Sequence, residues 1–414
     1  MSARRGRELP EDPLTRELVQ QARAAAVSRR SVLAGAAGAA GLGALLAACG
    51  TGGTGGGATT GTGITPGTDV SDTEKLVRWA NWTFYLDYDD DTRSRPTLEA
   101  FTESTGIEAQ YVEDIEDNDT FYGKVQSQLA QGQDIGFDIV TLTDWMTARL
   151  IRQGYVQELD HGNIPNLDNL VEGLRNVDFD PGRKKSVTWQ SGYALIAWNT
   201  ELVPEGLEAV SDLWKPEYKG RVEVLSEMRD TIGLIMLEQG VDISGDWGDD
   251  EFYAALEVVE EQIASGQIRQ VRGNSYTEDL ISGDAIAVMA WSGDIVALNF
   301  EADDKFAYKI VDSGVTLWSD NLMVPIGATH KENAELLIDH YYEPEVAAEV
   351  AAWVNFITPV EGAREAMEAI DPELMDNELI FPDSDTLAKA HVFRSLSPEE
   401  EEKYNGDFLS VIGA

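Results

Sequence analysis

The chain has 414 residues and is strongly acidic, with 74 Asp and Glu residues against 31 Lys and Arg residues and a formal net charge of −43 at pH 7. Such a surface repels polyanions and acidic lipid headgroups, so the composition argues against nucleic acid as a partner. Two explanations of the acidity stay open here. One is a halophilic or alkaliphilic source, whose salt screens the self-repulsion, and the other is a cationic ligand attracted by the field.

The first 72 residues are predicted to be a signal peptide and a linker. Arg29 and Arg30 form a twin-arginine pair, and the weakly apolar run behind them is too short and glycine-rich for a membrane-spanning helix of ~20 residues. The run ends in LAAC at Cys49, the only cysteine, which resembles the lipobox of bacterial lipoproteins. We expect a twin-arginine lipoprotein signal peptide over 1–48 and, over 49–72, a lipidated Cys49 with a disordered Gly/Thr-rich tether to the outer face of the cytoplasmic membrane.

The chain after residue 73 begins with short apolar runs that alternate with amphipathic segments. One helix is predicted to begin at Pro96 and to end at Gly106, and a second to be capped by Asp119 and to end at Gly132. This strand-helix-strand order predicts a parallel sheet with helices on both faces. The predicted strands cover residues 76–82, 107–112 and 137–142.

The middle and the end of the chain continue the alternation. Paired strands are predicted within 186–199, and another strand covers 285–291. With about 340 residues behind the leader, the chain is long enough for two α/β lobes rather than one core. Helices are predicted over residues 229–239, 249–265, 331–353 and 398–411.

Several stretches together resemble the spermidine/putrescine-binding family of ABC-importer solute-binding proteins, from about Leu76 to Phe393. They are NWTFY (81–85), FDIVTLTDW (137–145), SEMRDTIG (226–233), AWSGD (290–294), LWSDNLMVP (317–325) and NFITPVEGAR (355–364). The resemblance implies an α/β chain with the type II periplasmic-binding-protein fold, in which the ligand lies in a cleft between two lobes. It places lobe 1 over 74–192 and 320–364 and lobe 2 over 193–319 and 365–414, with hinges at Gly192 and just before Asn321.

The resemblance also implies which residues bind the ligand. The tryptophan at position 291 would pack on the ligand's methylenes, Asp294 would take an ammonium group, and Asp320 would take the other or an inner amine. The residue types suit a polyamine, because separated carboxylates bind its ammonium groups and aromatic faces cover its carbon chain. The expected ligand-binding residues are Trp82, Thr83, Tyr85, Thr143, Trp145, Glu227, Asp230, Trp291, Asp294, Trp318, Asp320 and Phe356.

Some positions depart from the family pattern. Relatives have an acid directly after the hydroxyl residue of the first loop, where this chain has Phe84, and Asp87 is a nearby candidate to replace it. Ser191 stands where a Trp often precedes the hinge glycine. Arg394 stands near the family's last binding position, where its charge would oppose a diamine and favour a ligand that also carries a carboxylate. Glu227 and Asp230 also suit a helix start, where acids stabilise the helix dipole.

Other functions receive less support from the sequence. Tyr341 and Tyr342 are similar to the paired tyrosines of ferric-ion-binding proteins, but their place just before Pro344 favours core packing, and the four histidines show no metal-ligand spacing. The chain has no HExxH, GxSxG or P-loop motif, so we expect neither an enzyme nor a cofactor or metal site. We expect a monomer that captures a polyamine and delivers it to an ABC permease. The alternatives are a binder of another solute, such as an amino-acid derivative, another organic cation or ferric ion, and a surface lipoprotein without a role in transport.

Overall fold

The computed structural model describes residues 64–302 and 305–413. The predicted signal peptide, Cys49 and most of the predicted tether lie outside these residues. Within the described ranges, no helix combines the length and the apolar character needed to cross a bilayer.

Twelve strands are found in the described part of the chain, and ten of them belong to one continuous sheet. The second strand extends three residues beyond the prediction, while the third begins two residues later than expected. The strands are β1 (Leu76–Trp82), β2 (Glu108–Ile115), β3 (Ile139–Thr143), β4 (Asn176–Val177), β5 (Asp180–Pro181), β6 (Val187–Asn199), β7 (Val222–Leu225), β8 (Ile268–Arg272), β9 (Ala287–Trp291), β10 (Phe306–Lys309), β11 (Val315–Met323) and β12 (Ala390–His391).

The helices lie largely where the sequence predicts them. The first helix has Pro96 at its first turn and ends at Gly106, which adopts the left-handed conformation with φ of 72°. The second is capped by Asp117, not by Asp119 as predicted, because the Asp117 carboxylate accepts the backbone N–H of Thr120 at 2.9 Å. The helices are α1 (Pro96–Thr105), α2 (Asn118–Leu129), α3 (Asp144–Gln153), α4 (Met228–Glu238), α5 (Asp249–Ala264), α6 (Tyr276–Ser282), α7 (Ser292–Ala302), α8 (Lys331–Tyr341), α9 (Pro344–Val354), α10 (Ala363–Ile370), α11 (Ser384–Leu387) and α12 (Pro398–Ile412).

Two long strands join two groups of parallel strands. In the order β2-β1-β3-β11-β6-β9-β7-β8, β1 is parallel to β2 and β3, and β7 is parallel to β8 and β9. Between these groups, β11 is antiparallel to β3 over residues 320–323, and β6 is antiparallel to β9 over residues 194–198. Two of the three predicted lobe boundaries fall within β6 and β11, where pairing passes from one group to the other, and the third falls within α10. Those boundaries, and the hinge at Gly192, stay a prediction.

Aromatic residues fill the core on the side of β1. The ring of Trp79 lies 5.0 Å from that of Trp189 and 5.4 Å from that of Tyr341, and the Trp189 ring packs edge-on against Tyr341. The hydroxyl of Tyr341 faces Thr97, and that of Tyr342 donates to a backbone carbonyl. The tyrosine pair is therefore part of the core, as the sequence predicted.

The described chain starts in contact with the folded part. The backbone N–H of Gly67 donates to the carbonyl of Ile326 at 2.8 Å, and that of Val70 donates to Thr329 at 2.8 Å. The prediction placed the disordered tether up to residue 72, but Gly67 and Val70 are already bound to the folded part. Residues 64–72 lie along the chain before α8 because their backbone groups find partners there.

Candidate ligand-binding cleft

A cavity of about 430 Å³ lies where the carboxyl ends of β1, β3, β7 and β9 face each other across β6 and β11. Its volume is in the usual range for small-molecule sites, ~300–1,000 Å³. The structure brings all the predicted binding residues together, since each of them lines this cavity. They are Trp82, Thr83, Tyr85, Thr143, Trp145, Glu227, Asp230, Trp291, Asp294, Trp318, Asp320 and Phe356.

The carboxylate of Asp320 is held by two hydroxyl groups. Asp320 lies on β11, and its oxygens accept from Tyr85 Oη at 2.9 Å and from Thr143 Oγ1 at 2.8 Å. Burial raises the pKa of Asp320 to about 7, although these hydrogen bonds pull it downward. The side chain is thus fixed by neutral donors and can still accept a cation.

The carboxylates of Asp294 and Asp230 are held in the same way. Asp294 accepts from Tyr276 Oη at 2.8 Å and from Asn274 Nδ2 at 3.0 Å, while Asp230 accepts from the Trp291 indole N–H at 2.8 Å. Burial raises the pKa of each of these aspartates to about 6. Sequence reasoning missed Tyr276 and Asn274, and also Thr316, which donates to Asp230. Their position next to strand ends was the only sequence feature that could have identified them as site residues.

Aromatic rings form the apolar walls of the cleft. Trp82 and Trp291 lie 6.2 Å apart on facing strands, while Phe356 packs edge-on against Tyr85 at 5.3 Å and against Trp318 at 5.2 Å. These rings can cover a hydrocarbon chain and stabilise cations through their faces.

A glycine on β6 makes room for two of these rings. A β-carbon at Gly192 would lie 2.5 Å from Trp318 Cζ2 and 2.7 Å from Phe356 Cδ1. Both distances are shorter than van der Waals contact, so a larger residue would push the rings aside. The predicted hinge position therefore also shapes the wall of the cleft.

Trp145 differs from the other aromatic residues because arginines already cover it. The guanidinium carbon of Arg229 lies 4.3 Å from its ring centre, and that of Arg149 lies 4.8 Å away. Two cations therefore already use the π-electrons of Trp145. Its predicted contact with the ligand stays a prediction, but its main contacts in this structure are with the protein.

Glu227 and Arg229 form a loosely connected pair in the cleft. Glu227 Oε2 accepts from Asn118 Nδ2 at 3.1 Å, and Glu227 Oε1 lies 3.9 Å from Arg229 Nη1. Burial raises the pKa of Glu227 to about 8, against the effect of the nearby guanidinium. Sequence reasoning passed over Arg229, although it stands between the two acids of SEMRD.

The departures from the family pattern lie in different places. Phe84 is 47% exposed and is not part of the cleft lining, so the missing acid leaves no gap there. Asp87 does not replace it, because its carboxylate accepts the backbone N–H of Thr97 at 2.9 Å in the first turn of α1.

Arg394 does line the cleft, but it pairs with Glu400 at 2.7 Å and 3.3 Å. The Glu400 carboxylate therefore offsets the charge with which Arg394 was expected to oppose a diamine, and that expectation stays a prediction. The pairing lowers the pKa of Glu400 to about 2.

Ion pairs close one edge of the cleft. The carboxylate of Glu401 on α12 is buried and binds both Arg149 and Arg152 on α3. Nearby, Ser226 Oγ donates to Asp117 at 2.8 Å. These contacts connect α3 with α12, and the start of α2 with the residue after β7.

The chain has the fold of the type II periplasmic binding proteins. A solved structure of the PotD spermidine/putrescine transporter binding protein from Streptococcus pneumoniae matches with a TM-score of 0.65 at 24% identity, covering 82% of this chain and 98% of that one. The TpPotD lipoprotein of Treponema pallidum matches with a TM-score of 0.66 at 19% identity, covering 82% and 100%. These similarities confirm the predicted fold class.

Sequence comparison identifies the family. The model of the bacterial extracellular solute-binding protein family matches residues 96–381, which is more than half of the chain. The chain belongs to this family, so it is a solute-binding protein and not an enzyme, as predicted.

Curated relatives agree with the sequence resemblance. The spermidine/putrescine-binding periplasmic protein of Salmonella typhimurium is 27% identical over 321 residues, which cover 77% of this chain and 86% of that protein. The putrescine-binding periplasmic protein SpuD of Pseudomonas aeruginosa is 24% identical over 340 residues, which cover 78% and 88%. The predicted similarity to this group is confirmed.

Proposed function

We propose that this protein is the solute-binding lipoprotein of an ABC importer and that it captures a polyamine-like organic cation in the cleft. The observation that carries the proposal is the arrangement of Asp230, Asp294 and Asp320. Each of these buried carboxylates is held by two neutral donors, beside aromatic walls. Ligands with several ammonium groups on a hydrocarbon chain match both features.

The physical reason is the cost of a buried charge. An ionised carboxylate removed from water costs several kcal/mol unless it meets a cation or becomes protonated. The neutral donors orient the three aspartates without supplying that cation, so an ammonium group supplies it on binding. The relatives named for spermidine and putrescine support this choice of ligand.

Capture would proceed by closure of the two lobes. The aspartates lie on different elements, Asp320 on β11 and Asp294 in the first turn of α7, so a ligand that contacts both favours the closed arrangement. The closed complex would then dock on a membrane permease that a separate ATPase drives. No bond is made or broken in this process.

The anchor is part of the same proposal. Export by the twin-arginine route and acylation of Cys49 would tether a monomeric receptor beside its permease and raise its local concentration there. The similarity to a solved structure described as a lipoprotein supports this. Cys49→Ser should release the protein from the membrane fraction into the medium, whereas unchanged membrane association would contradict acylation at this position.

The ligand can be identified by thermal stability. The protein without its first 63 residues would be heated at high salt with putrescine, spermidine, cadaverine, glutamate or ferric ion. A true ligand at a hundred times its dissociation constant should stabilise the fold by ~2.7 kcal/mol, a clear shift in melting temperature. We expect this shift with the amines. If only glutamate or ferric ion produces it, the polyamine proposal is wrong.

A further inference from the structure

Arg229 is a buried cation with an unused donor. Its side chain lines the cleft and is 9% exposed, and within the described residues Nη1 has no hydrogen-bond partner. The nearest acid, Glu227, has its Oε1 atom 3.9 Å away, beyond hydrogen-bond distance. An unsatisfied buried donor on a charged group is costly, so it indicates a partner that is absent when the cleft is empty.

Other buried arginines in this protein show that such partners are normally supplied. Arg183, which is 2% exposed, donates to Asn321 Oδ1 at 2.8 Å, to Thr188 Oγ1 at 2.6 Å and to the carbonyl of Leu174 at 2.6 Å. Arg394, which is half-buried in the cleft lining, forms a two-pronged pair with Glu400, although its Nε atom also lacks a partner within the described residues. Arg229 differs from both because it also lines the cleft but has no hydrogen-bonded acid, its nearest carboxylate oxygen lying 3.9 Å from Nη1.

The surroundings of Arg229 hold the guanidinium in place without neutralising it. Trp145 lies under it at 4.3 Å, and the neighbouring Arg149 shares the same ring. Glu227 is a weak partner, since it is distant and burial raises its pKa to about 8. The next residue, Asp230, is one of the three carboxylates proposed to bind an ammonium group. A cation and an anion of the protein thus stand side by side in the cleft lining.

Resting on the proposed amine-binding function, we propose that Arg229 binds a carboxylate of the ligand and that the cleft prefers diamines that carry one. Arg229 and Asp230 would bind the carboxylate and the ammonium of an amino-acid head group. Asp294 or Asp320 would bind the second ammonium at the far end of the chain. The planar guanidinium suits a carboxylate because two of its N–H groups can donate to the two oxygens.

The test uses pairs of ligands that differ by one carboxylate. Ornithine is putrescine with a carboxylate on a terminal carbon, and lysine is related to cadaverine in the same way. Isothermal calorimetry on the wild-type protein should give ornithine or lysine an affinity at least tenfold higher than that of the matching diamine. A higher affinity for the diamine in both pairs overturns the inference.

A variant connects the preference with Arg229. Arg229→Met keeps most of the side-chain volume and removes the charge, so the affinity for ornithine should fall at least tenfold while that for putrescine rises. Arg364→Met is the control, because it removes one positive charge from an exposed ion pair with Asp376. The control should keep the wild-type ratio of affinities. If Arg229→Met loses affinity for ornithine and putrescine equally, Arg229 has a structural role and the inference is overturned.

The outcomes separate this inference from the proposed function. Binding of putrescine with no binding of ornithine leaves amine capture standing and overturns the role of Arg229. Binding of none of the four ligands overturns amine capture itself, and the inference with it. The wild-type comparison decides the ligand preference even if Arg229→Met fails to fold.

Discussion

Two carboxylates of the cleft, those of Asp320 and Glu227, are held differently. At Asp320, two hydroxyl groups orient the carboxylate and leave its charge for the ligand. At Glu227, an amide holds one oxygen, and a guanidinium 3.9 Å away competes with any cation that enters. The difference shows that a carboxylate binds a cationic ligand best when its own partners are neutral donors. The four predictions below test this comparison.

The largest effect is expected at Asp320. Asp320→Asn keeps an acceptor for Tyr85 and an amide that can pair with Thr143, but it removes the charge that an ammonium needs. We expect the affinity for an amine ligand to fall ~10- to 150-fold, in line with ~1.5–3 kcal/mol for a charged hydrogen bond. Calorimetry measures the affinity, and thermal melting of the empty protein checks that the fold is intact.

The control for Asp320→Asn is Asp312→Asn. Asp312 is 93% exposed at its side chain and pairs with Lys389 on the surface, so it contributes only to the overall field. We expect the affinity of Asp312→Asn for the amine ligand to stay within about twofold of the wild-type value at physiological salt. If both variants lose affinity equally, the net charge and not the Asp320 contact controls binding.

The second prediction concerns pH. Burial raises the pKa of Asp294 to about 6 and that of Asp320 to about 7. The folded, empty protein therefore holds more protons than the unfolded chain. The stronger proton binding of the folded state adds to the free energy of unfolding. The added stability is fully present below the unfolded pKa of ~3.9 and is lost as pH rises through 6 to 7.

A bound ammonium favours the ionised carboxylates, so ligand affinity should change in the opposite direction. We expect amine binding to be at least ~10-fold tighter at pH 8 than at pH 5, with proton release on binding near pH 6.5. Calorimetry in two buffers of different ionisation enthalpy measures that release. Affinity that stays constant across this range would mean that the carboxylates are already ionised in the empty cleft.

The third prediction addresses the ion pairs at the edge of the cleft. Glu401→Gln leaves Arg149 and Arg152 without their buried carboxylate, so the closed arrangement is stabilised less. We expect a three- to tenfold loss of affinity through faster dissociation, because a buried charge pair acts mainly on the off-rate. Stopped-flow measurement of tryptophan fluorescence gives this rate. The neighbouring Glu402 is exposed on the same helix, and Glu402→Gln should leave the rate unchanged; equal rates in the two variants would contradict this role for Glu401.

The smallest effect is expected at Phe84. This residue is exposed and lies outside the cleft lining, so restoring the acid that relatives have there should change amine affinity less than twofold. Phe84→Glu tests this by calorimetry, and Phe84→Gln separates the added charge from the loss of the ring. A tenfold gain with Glu alone would show that the first loop turns its side chain into the cleft when ligand is bound.

Much of the site was predictable because strand ends carry short motifs. In AWSGD a tryptophan ends an apolar strand and an acid follows it, and in this fold class such strand ends face the ligand. In LWSDNLMVP the tryptophan and the acid lie within β11 and not at its end. Both motifs indeed line the cavity. The sequence could not show that Arg229 covers Trp145, because that contact joins α3 and α4, about eighty positions apart, whereas the contact of Arg149 with the same ring lies within α3.

The sequence by itself determined the order of strands and helices, the family, and which acids and aromatic residues face the cleft. These features depend on local periodicity and on motifs at strand ends. Only the tertiary structure decided how each charge is used. It paired Arg394 with Glu400 and placed Asp87 at a helix start, and within the described residues it gave the Nη1 atom of Arg229 no hydrogen-bond partner. The physical reason is that the state of a buried charge depends on neighbours from distant segments, which fold into place only together.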